Sequence, residues 1–159
     1  METTMSRDAL GWAWVGGQVV LLGALILLPG RDDWPVSSGL GLLASILFFA
    51  GLVLVAISAL GLGRALTPTP VPTGHGELTT TGLYAFMRHP IYTGVLTVVG
   101  GITLRSGSWI HLAIAVATFV FFDRKAAWEE KRLAETYPTY PQYAAVTSKF
   151  VPRPPKPRA

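Results

Sequence analysis

One stretch of this chain gathers residues able to bind and position a charged ligand: Arg88-His89-Pro90-Ile91-Tyr92-Thr93-Gly94. Proline is favoured at the first position of a helix, where its missing N–H would have no partner anyway. A helix is therefore expected to open at Pro90, with His89 as its cap and Arg88 just outside. A helix N-terminus carries unpaired N–H groups and partial positive charge, and Arg88 and His89 beside it strengthen its attraction for an anion. Tyr92 and Gly94 follow within the first turns, one offering a ring and a hydroxyl, the other letting a ligand approach closely. The same residues also suit a plainer task, in which Arg88 and His89 grip lipid phosphates and Tyr92 belongs to an interfacial aromatic belt.

A second charged cluster follows some thirty residues later: Asp123, Arg124, Lys125, Glu129, Glu130, Lys131 and Arg132. Lys125 and Glu129 are four apart and share a helical face, while Glu130 is rotated from Glu129 by about 100°. Such alternation of sign also marks a solvated helix laced with salt bridges. If the chain between the clusters folds back as a short hairpin, His89 and Tyr92 meet Lys125 and Glu129 in an amphoteric pocket. That pocket would suit a ligand bearing both a carboxylate and an amine.

The elements that must position these groups are apolar. Residues 9–30 and 39–63 carry no charge, and at about 1.5 Å of rise per residue each can cross a hydrocarbon core of roughly 30 Å. Glu2 and Asp8 outweigh Arg7 ahead of the first stretch and no small-x-small pattern follows it, so a retained span is expected rather than a cleaved signal peptide. Arg31-Asp32-Asp33-Trp34-Pro35 makes the polar turn between the two. Gly39-Leu40-Gly41-Leu42-Leu43-Ala44 has the spelling of a dinucleotide-binding loop, but no strand precedes it, which leaves chance or close helix packing.

Residues 64–90 form a long connection in which Thr67-Pro68-Thr69-Pro70-Val71-Pro72 favours extended backbone. It reads either as a rigid linker or as a loop held over a site. Residues 91–122 are a helical hairpin, two short apolar segments parted by Arg105-Ser106-Gly107-Ser108, and residues 123–159 are a charged helix and a basic, proline-rich tail. The expected fold is all-α: a single polytopic membrane domain of about four transmembrane helices, the last two a short hairpin, with a cytoplasmic C-terminal helix.

Composition agrees. Only 14% of residues are charged and mean hydropathy is +0.44, against about 25% charged residues in soluble domains. No cysteine is present, which excludes disulfides, thiolate zinc sites and a cysteine nucleophile. The net charge of +4 comes with no aromatic-basic recognition motif, so anionic lipid headgroups and not nucleic acid are the expected partners. Of the 13 Lys and Arg, all but Arg31 and Arg105 fall on one side of a four-span arrangement. The positive-inside rule makes that side cytoplasmic, together with both termini and residues 64–90. The expected location is a multi-pass one, in a cytoplasmic membrane of bacterial type.

Leu78-Thr79-Thr80-Thr81-Gly82-Leu83-Tyr84, then Arg88-His89-Pro90-Ile91-Tyr92-Thr93-Gly94, then Glu129-Glu130-Lys131-Arg132-Leu133 resembles the signature of the isoprenylcysteine carboxyl methyltransferases and the related phospholipid methyltransferases. The resemblance spans residues 64–152 and is specific through the order of its motifs. It implies an S-adenosyl-L-methionine-dependent methyltransferase acting on a lipophilic or amphipathic acceptor, such as a prenylcysteine-like carboxylate or a lipid amine, at the cytoplasmic face. It further implies cofactor contacts from Gly76, Glu77, Leu78, Thr79, Tyr84, His89, Pro90, Ile91, Tyr92 and Glu129. The position four before Glu129 is a substrate-contacting arginine in the carboxyl methyltransferases. Here it is Lys125, which keeps the charge but not the two-pronged grip on a carboxylate, and Arg124 stands beside it. Lys125, Arg124 and Glu129 are thus the expected catalytic set, and no metal is implied. The rivals are a nicotinamide-dependent enzyme similar to the sterol reductases, against which Glu129-Glu130-x-x-Leu133 speaks, and a non-catalytic membrane scaffold.

Overall fold

Each apolar stretch becomes a helix, with ends set by the residues standing there. The computed structural model describes residues 4–63 and 78–154. Among the described residues five α-helices follow one another: α1 (Thr4–Leu27), α2 (Ser38–Leu62), α3 (Pro90–Ser106), α4 (Trp109–Thr136) and α5 (Tyr140–Val146). A 3₁₀ turn, Gly82–Ala85, precedes α3. Among the described residues there is no strand, only an isolated parallel bridge between Met87 and Ser148.

Two of these helices, over Ala9–Leu27 and Ser38–Leu62, are long and apolar enough to cross a membrane, and most of both segments is not buried within the protein. The hairpin turn falls where glycine allows it, with Gly107 in the left-handed region at φ 58° ending α3 and Ser108 opening α4. The sequence divides hairpin from charged helix at residue 122, yet α4 runs unbroken through that point to Thr136. Asp33 in the α1–α2 connection serves the turn from outside: its Oδ2 accepts the Trp109 N–H at 2.8 Å, and the Trp34 N–H donates to the Gly107 carbonyl at 3.2 Å. The Trp34 and Trp109 rings meet edge to face at 4.9 Å.

Small residues set how closely the helices approach. Ala44, Gly51 and Ser58, seven apart along α2, are buried, the first two against α3, which offers Gly101 and Gly94 at the same spacing, and Ser58 beside Tyr84. A Cβ on Gly94 would stand 2.9 Å from the Gly51 carbonyl oxygen, and one on Gly101 would stand 2.7 Å from that of Ala44. Gly94 thus admits the α2 backbone and not a ligand, and within the Gly39–Ala44 stretch, all of it at the start of helix α2, only Ala44 is buried, packed against α3. Polarity is inverted relative to a water-soluble bundle: Val20, Phe49 and Val116 are 69%, 64% and 57% exposed, whereas Ser58, Thr118 and Lys125 are buried. A belt of outward apolar side chains over a partly polar interior is the pattern of a membrane protein.

Candidate active site

The α2–α3 contact delivers the start of α3 to the flank of α4. His89 is the cap residue, as its place before Pro90 predicts, but its side chain does not cap the helix. Its ring turns instead toward α4, where Nε2 lies 2.9 Å from Glu130 Oε1 and Nδ1 lies 3.8 Å from Glu129 Oε2. Arg88 Nε reaches the same Glu130 oxygen at 2.9 Å, while its Nη1 donates to the carbonyls of Ala144, at 3.0 Å, and Thr147. Arg88 is therefore no lure for an exogenous anion. It clamps α4 and the end of α5 to the mouth of α3.

Glu130, which sequence reasoning left out of the site, is the hub of this clamp. Burial by itself would raise its carboxyl, but hydrogen bonds from His89 and Arg88, and their charges, prevail and hold it at about 2. As an ionised carboxylate Glu130 only accepts, so His89 Nε2 carries the hydrogen of their bond. The helical rotation between the two glutamates splits their duties. Glu130 faces Arg88 and His89, and Glu129 faces Tyr92, whose hydroxyl donates to Glu129 Oε2 at 2.6 Å.

The rings of His89 and Tyr92 stack with centroids 5.2 Å apart and planes 3° from parallel, and Phe122 lies 5.0 Å from Tyr92. Lys125 is buried beside these rings, its Nζ 5.3 Å from the Tyr92 ring centroid and 5.6 Å from that of Phe122. Its hydrogen bond goes to Gln18 Oε1 of α1, at 2.6 Å. Gln18 is absent from the sequence-derived site, although it is the one amide in residues 9–30 and a polar side chain in such a run is costly without a task.

The tail closes one side of the site. After α5 the chain runs back along residues 86–89, with the N–H groups of Arg88 and His89 donating to the carbonyls of Ser148 and Lys149 at 2.8 and 3.1 Å. The Thr93 hydroxyl donates to the Phe150 carbonyl at 2.8 Å, and Lys149 Nζ pairs with Asp123 Oδ1 at 2.5 Å. The proline-rich tail is thus ordered at least to Arg153, whose N–H reaches the Phe86 carbonyl at 3.2 Å.

Of the other expected residues, Pro90 is buried, Ile91, Leu78 and Thr79 are half-buried, and Gly76 and Glu77 lie outside the described residues. Tyr84 is buried with its hydroxyl donated to the Ser58 carbonyl of α2 at 3.3 Å, and its own carbonyl accepts from the Tyr143 hydroxyl at 2.6 Å. Burial first, and the Glu129 charge second, push the Tyr84 phenol well above its ordinary range. Burial pushes that of Tyr143 up to about 12. Arg124 is exposed and joins none of the contacts among His89, Tyr92, Lys125 and Glu129.

The phospholipid methyltransferase family model matches residues 40–140, well over half of the chain and nearly all of the α2–α3–α4 scaffold. The chain belongs to the phospholipid methyltransferase family. It is accordingly a membrane methyltransferase. No curated protein and no solved structure matches it. The family match takes in His89, Tyr92, Lys125, Glu129 and Glu130 and stops short of both α1 and the returning tail. Gln18, Lys149 and Phe150 lie outside the matched residues.

Proposed function

We propose that the chain transfers a methyl group from S-adenosyl-L-methionine to a lipophilic or amphipathic acceptor at the cytoplasmic face of the membrane. The observation that carries this reading is the corner formed by the stacked His89 and Tyr92 rings, the Glu129 carboxylate and the opening turn of α3. Its donors and acceptors fit the methyl donor. The N–H groups of Ile91 and Tyr92 have no partner inside the helix and suit a carboxylate. Glu129 suits an amine or ribose hydroxyls, and ring faces beside a carboxylate suit a sulfonium cation. The cofactor supplies a methyl already activated on sulfur, which departs as a neutral thioether while the acceptor gives up a proton or an anionic charge. The protein's share is alignment and exclusion of water, tasks for a buried and rigid wall. Leu78, Thr79, Tyr84, Gly76 and Glu77 complete the wall in this reading, and Lys125, with Arg124 near, receives the acceptor.

The same reading includes four membrane spans. It is supported by the α3–α4 hairpin, by the outward apolar side chains Leu112, Val116, Phe119 and Val120 on α4, and by the asymmetry of Lys and Arg. A lipid-dissolved acceptor then reaches the site laterally, and the soluble donor enters from the cytoplasm.

Calorimetry with S-adenosylhomocysteine in detergent tests the assignment. His89→Ala and Glu129→Ala are each expected to weaken binding at least tenfold, and unchanged affinity in both would overturn it. The melting temperature of the unaltered protein should rise with the same ligand, as it must for a ligand that binds only the folded state. A flat response at saturation would favour the scaffold.

A further inference from the structure

We infer that Gln18 of α1 is a positioning residue that aims the Lys125 ammonium at an anionic group, a carboxylate or phosphate, on the lipid acceptor. This rests on the methyl-transfer reading of the site. It adds a part of the chain that the family match leaves out, since the match begins at residue 40.

Three observations converge on it. Lys125 shares a helical face with Glu129, yet among the described residues its hydrogen bond goes to the neutral Gln18 amide, at 2.6 Å. An amide fixes an ammonium without cancelling its charge, and an ammonium has three donors, so two remain after Gln18 takes one. Secondly, two aromatic rings flank Lys125, with Tyr92 and Phe122 5.3 and 5.6 Å from Nζ, while the charge of Glu129 acts on it from one turn along α4. Ring faces hold a cation in place and leave it unneutralised. Thirdly, the seam between α1 and α4 is built to bring Gln18 here. Trp14, Gly17 and Gln18 lie on one face of α1, at helical spacings of three and four. The Trp14 ring meets Phe121 at 5.1 Å and Trp128 at 6.5 Å, and a Cβ on Gly17 would stand 2.7 Å from Phe121 Cε2. Glycine at 17 thus lets α1 settle against α4 where Gln18 meets Lys125.

The juxtaposition also decides where the acceptor head must come. Gln18 lies near the middle of the apolar segment Ala9–Leu27, and its bond ties the Lys125 ammonium to that segment. Around the same Tyr92 ring, Glu129 and His89 form the donor corner.

A purely structural role would be to satisfy a buried ammonium. The two roles diverge in Gln18→Glu, which keeps the hydrogen bond but neutralises Lys125. A structural role predicts that this variant behaves as well as the unaltered protein or better. The positioning role predicts that it binds anions poorly. The measurement is calorimetric titration of dodecyl phosphate into the full-length protein in a neutral maltoside detergent, with Gln18→Met as an isosteric variant lacking the acceptor and Lys125→Met as reference. Gln18→Glu, Gln18→Met and Lys125→Met should each lose at least tenfold in dodecyl phosphate affinity, while S-adenosylhomocysteine affinity of the two Gln18 variants stays within twofold. Unaltered dodecyl phosphate affinity in both Gln18 variants would overturn the proposal. So would inorganic phosphate binding as tightly as the amphiphile, because the site would then read a free anion and not a lipid head. Loss of S-adenosylhomocysteine binding by the unaltered protein would instead strike the methyl-transfer reading, leaving the dodecyl phosphate result to stand by itself.

Discussion

At the scale of single residues, the charges of the site are held by defined partners. Glu130 binds Arg88 and His89 and is held at about 2, below its ordinary value of 4.5. A carboxyl whose folded value is depressed adds stability that is fully present above the unfolded value and is lost as pH falls through the folded one. The window here is thus pH 4.5 down to 2. At 1.36 kcal/mol per unit, the contribution lost across it is roughly 3 kcal/mol. Thermal unfolding in detergent should show this acid limb, and Glu130→Gln should flatten it while lowering stability at pH 7. Tyr92→Phe removes the hydroxyl donated to Glu129 but keeps the ring stacked on His89. A hydrogen bond of this kind contributes about 1 kcal/mol to stability, so the melting temperature in detergent should fall by about 2–4 °C while the stacked ring keeps the fold.

Among the elements, the decisive contact is that of α2 with α3, because it carries the Arg88-His89-Pro90 corner to α4. Neighbouring glycines give a clean comparison. A Cβ on Gly101 would enter the α2 backbone, 2.7 Å from the Ala44 oxygen and 2.8 Å from the Phe48 nitrogen, whereas one on Gly100 would meet nothing within 4 Å. Gly101→Ala should therefore destabilise by about 1–3 kcal/mol, the usual cost of overpacking. Gly100→Ala should be neutral or stabilise by up to about 1 kcal/mol through helix propensity. Melting temperatures of the two variants in one detergent decide the matter, and equal shifts would refute the packing argument. The spacing of Ala44, Gly51 and Ser58 was available in the sequence, but its partners were not, since Gly94 reads equally well as room for a ligand.

For the whole molecule, the question is how the helices sit in a bilayer. The absence of cysteine makes it tractable, since a single introduced thiol is the only one present. Asp32 and Gln142 are both exposed, one between the first two helices and the other on α5. With four spans, a membrane-impermeant maleimide applied to sealed vesicles should label Asp32→Cys and Gln142→Cys from opposite faces, Gln142→Cys from the cytoplasmic one. Labelling of both from the same face would overturn the four-span arrangement.

The sequence by itself determined the helices and the inventory of the site, for reasons that are local. Uncharged runs in residues 9–30 and 39–63 dictate helices that shed water, Pro90 dictates where α3 begins, and Gly107 dictates where the hairpin turns. The motif order around His89, Tyr92 and Glu129 was likewise legible, because residues four apart on a helix share a face whatever surrounds them. The partners of those residues were decided only by the tertiary structure. Whether Arg88 meets a ligand or Glu130, whether the tail drifts or returns to Phe86, and whether Lys125 pairs with Glu129 or Gln18 depend on helices far apart in the chain. These outcomes follow from how closely glycines let backbones approach, a property of facing surfaces that no single stretch contains. The site near Arg88-His89-Pro90 was thus written in the sequence as a list of groups, and packing gave each group its neighbour.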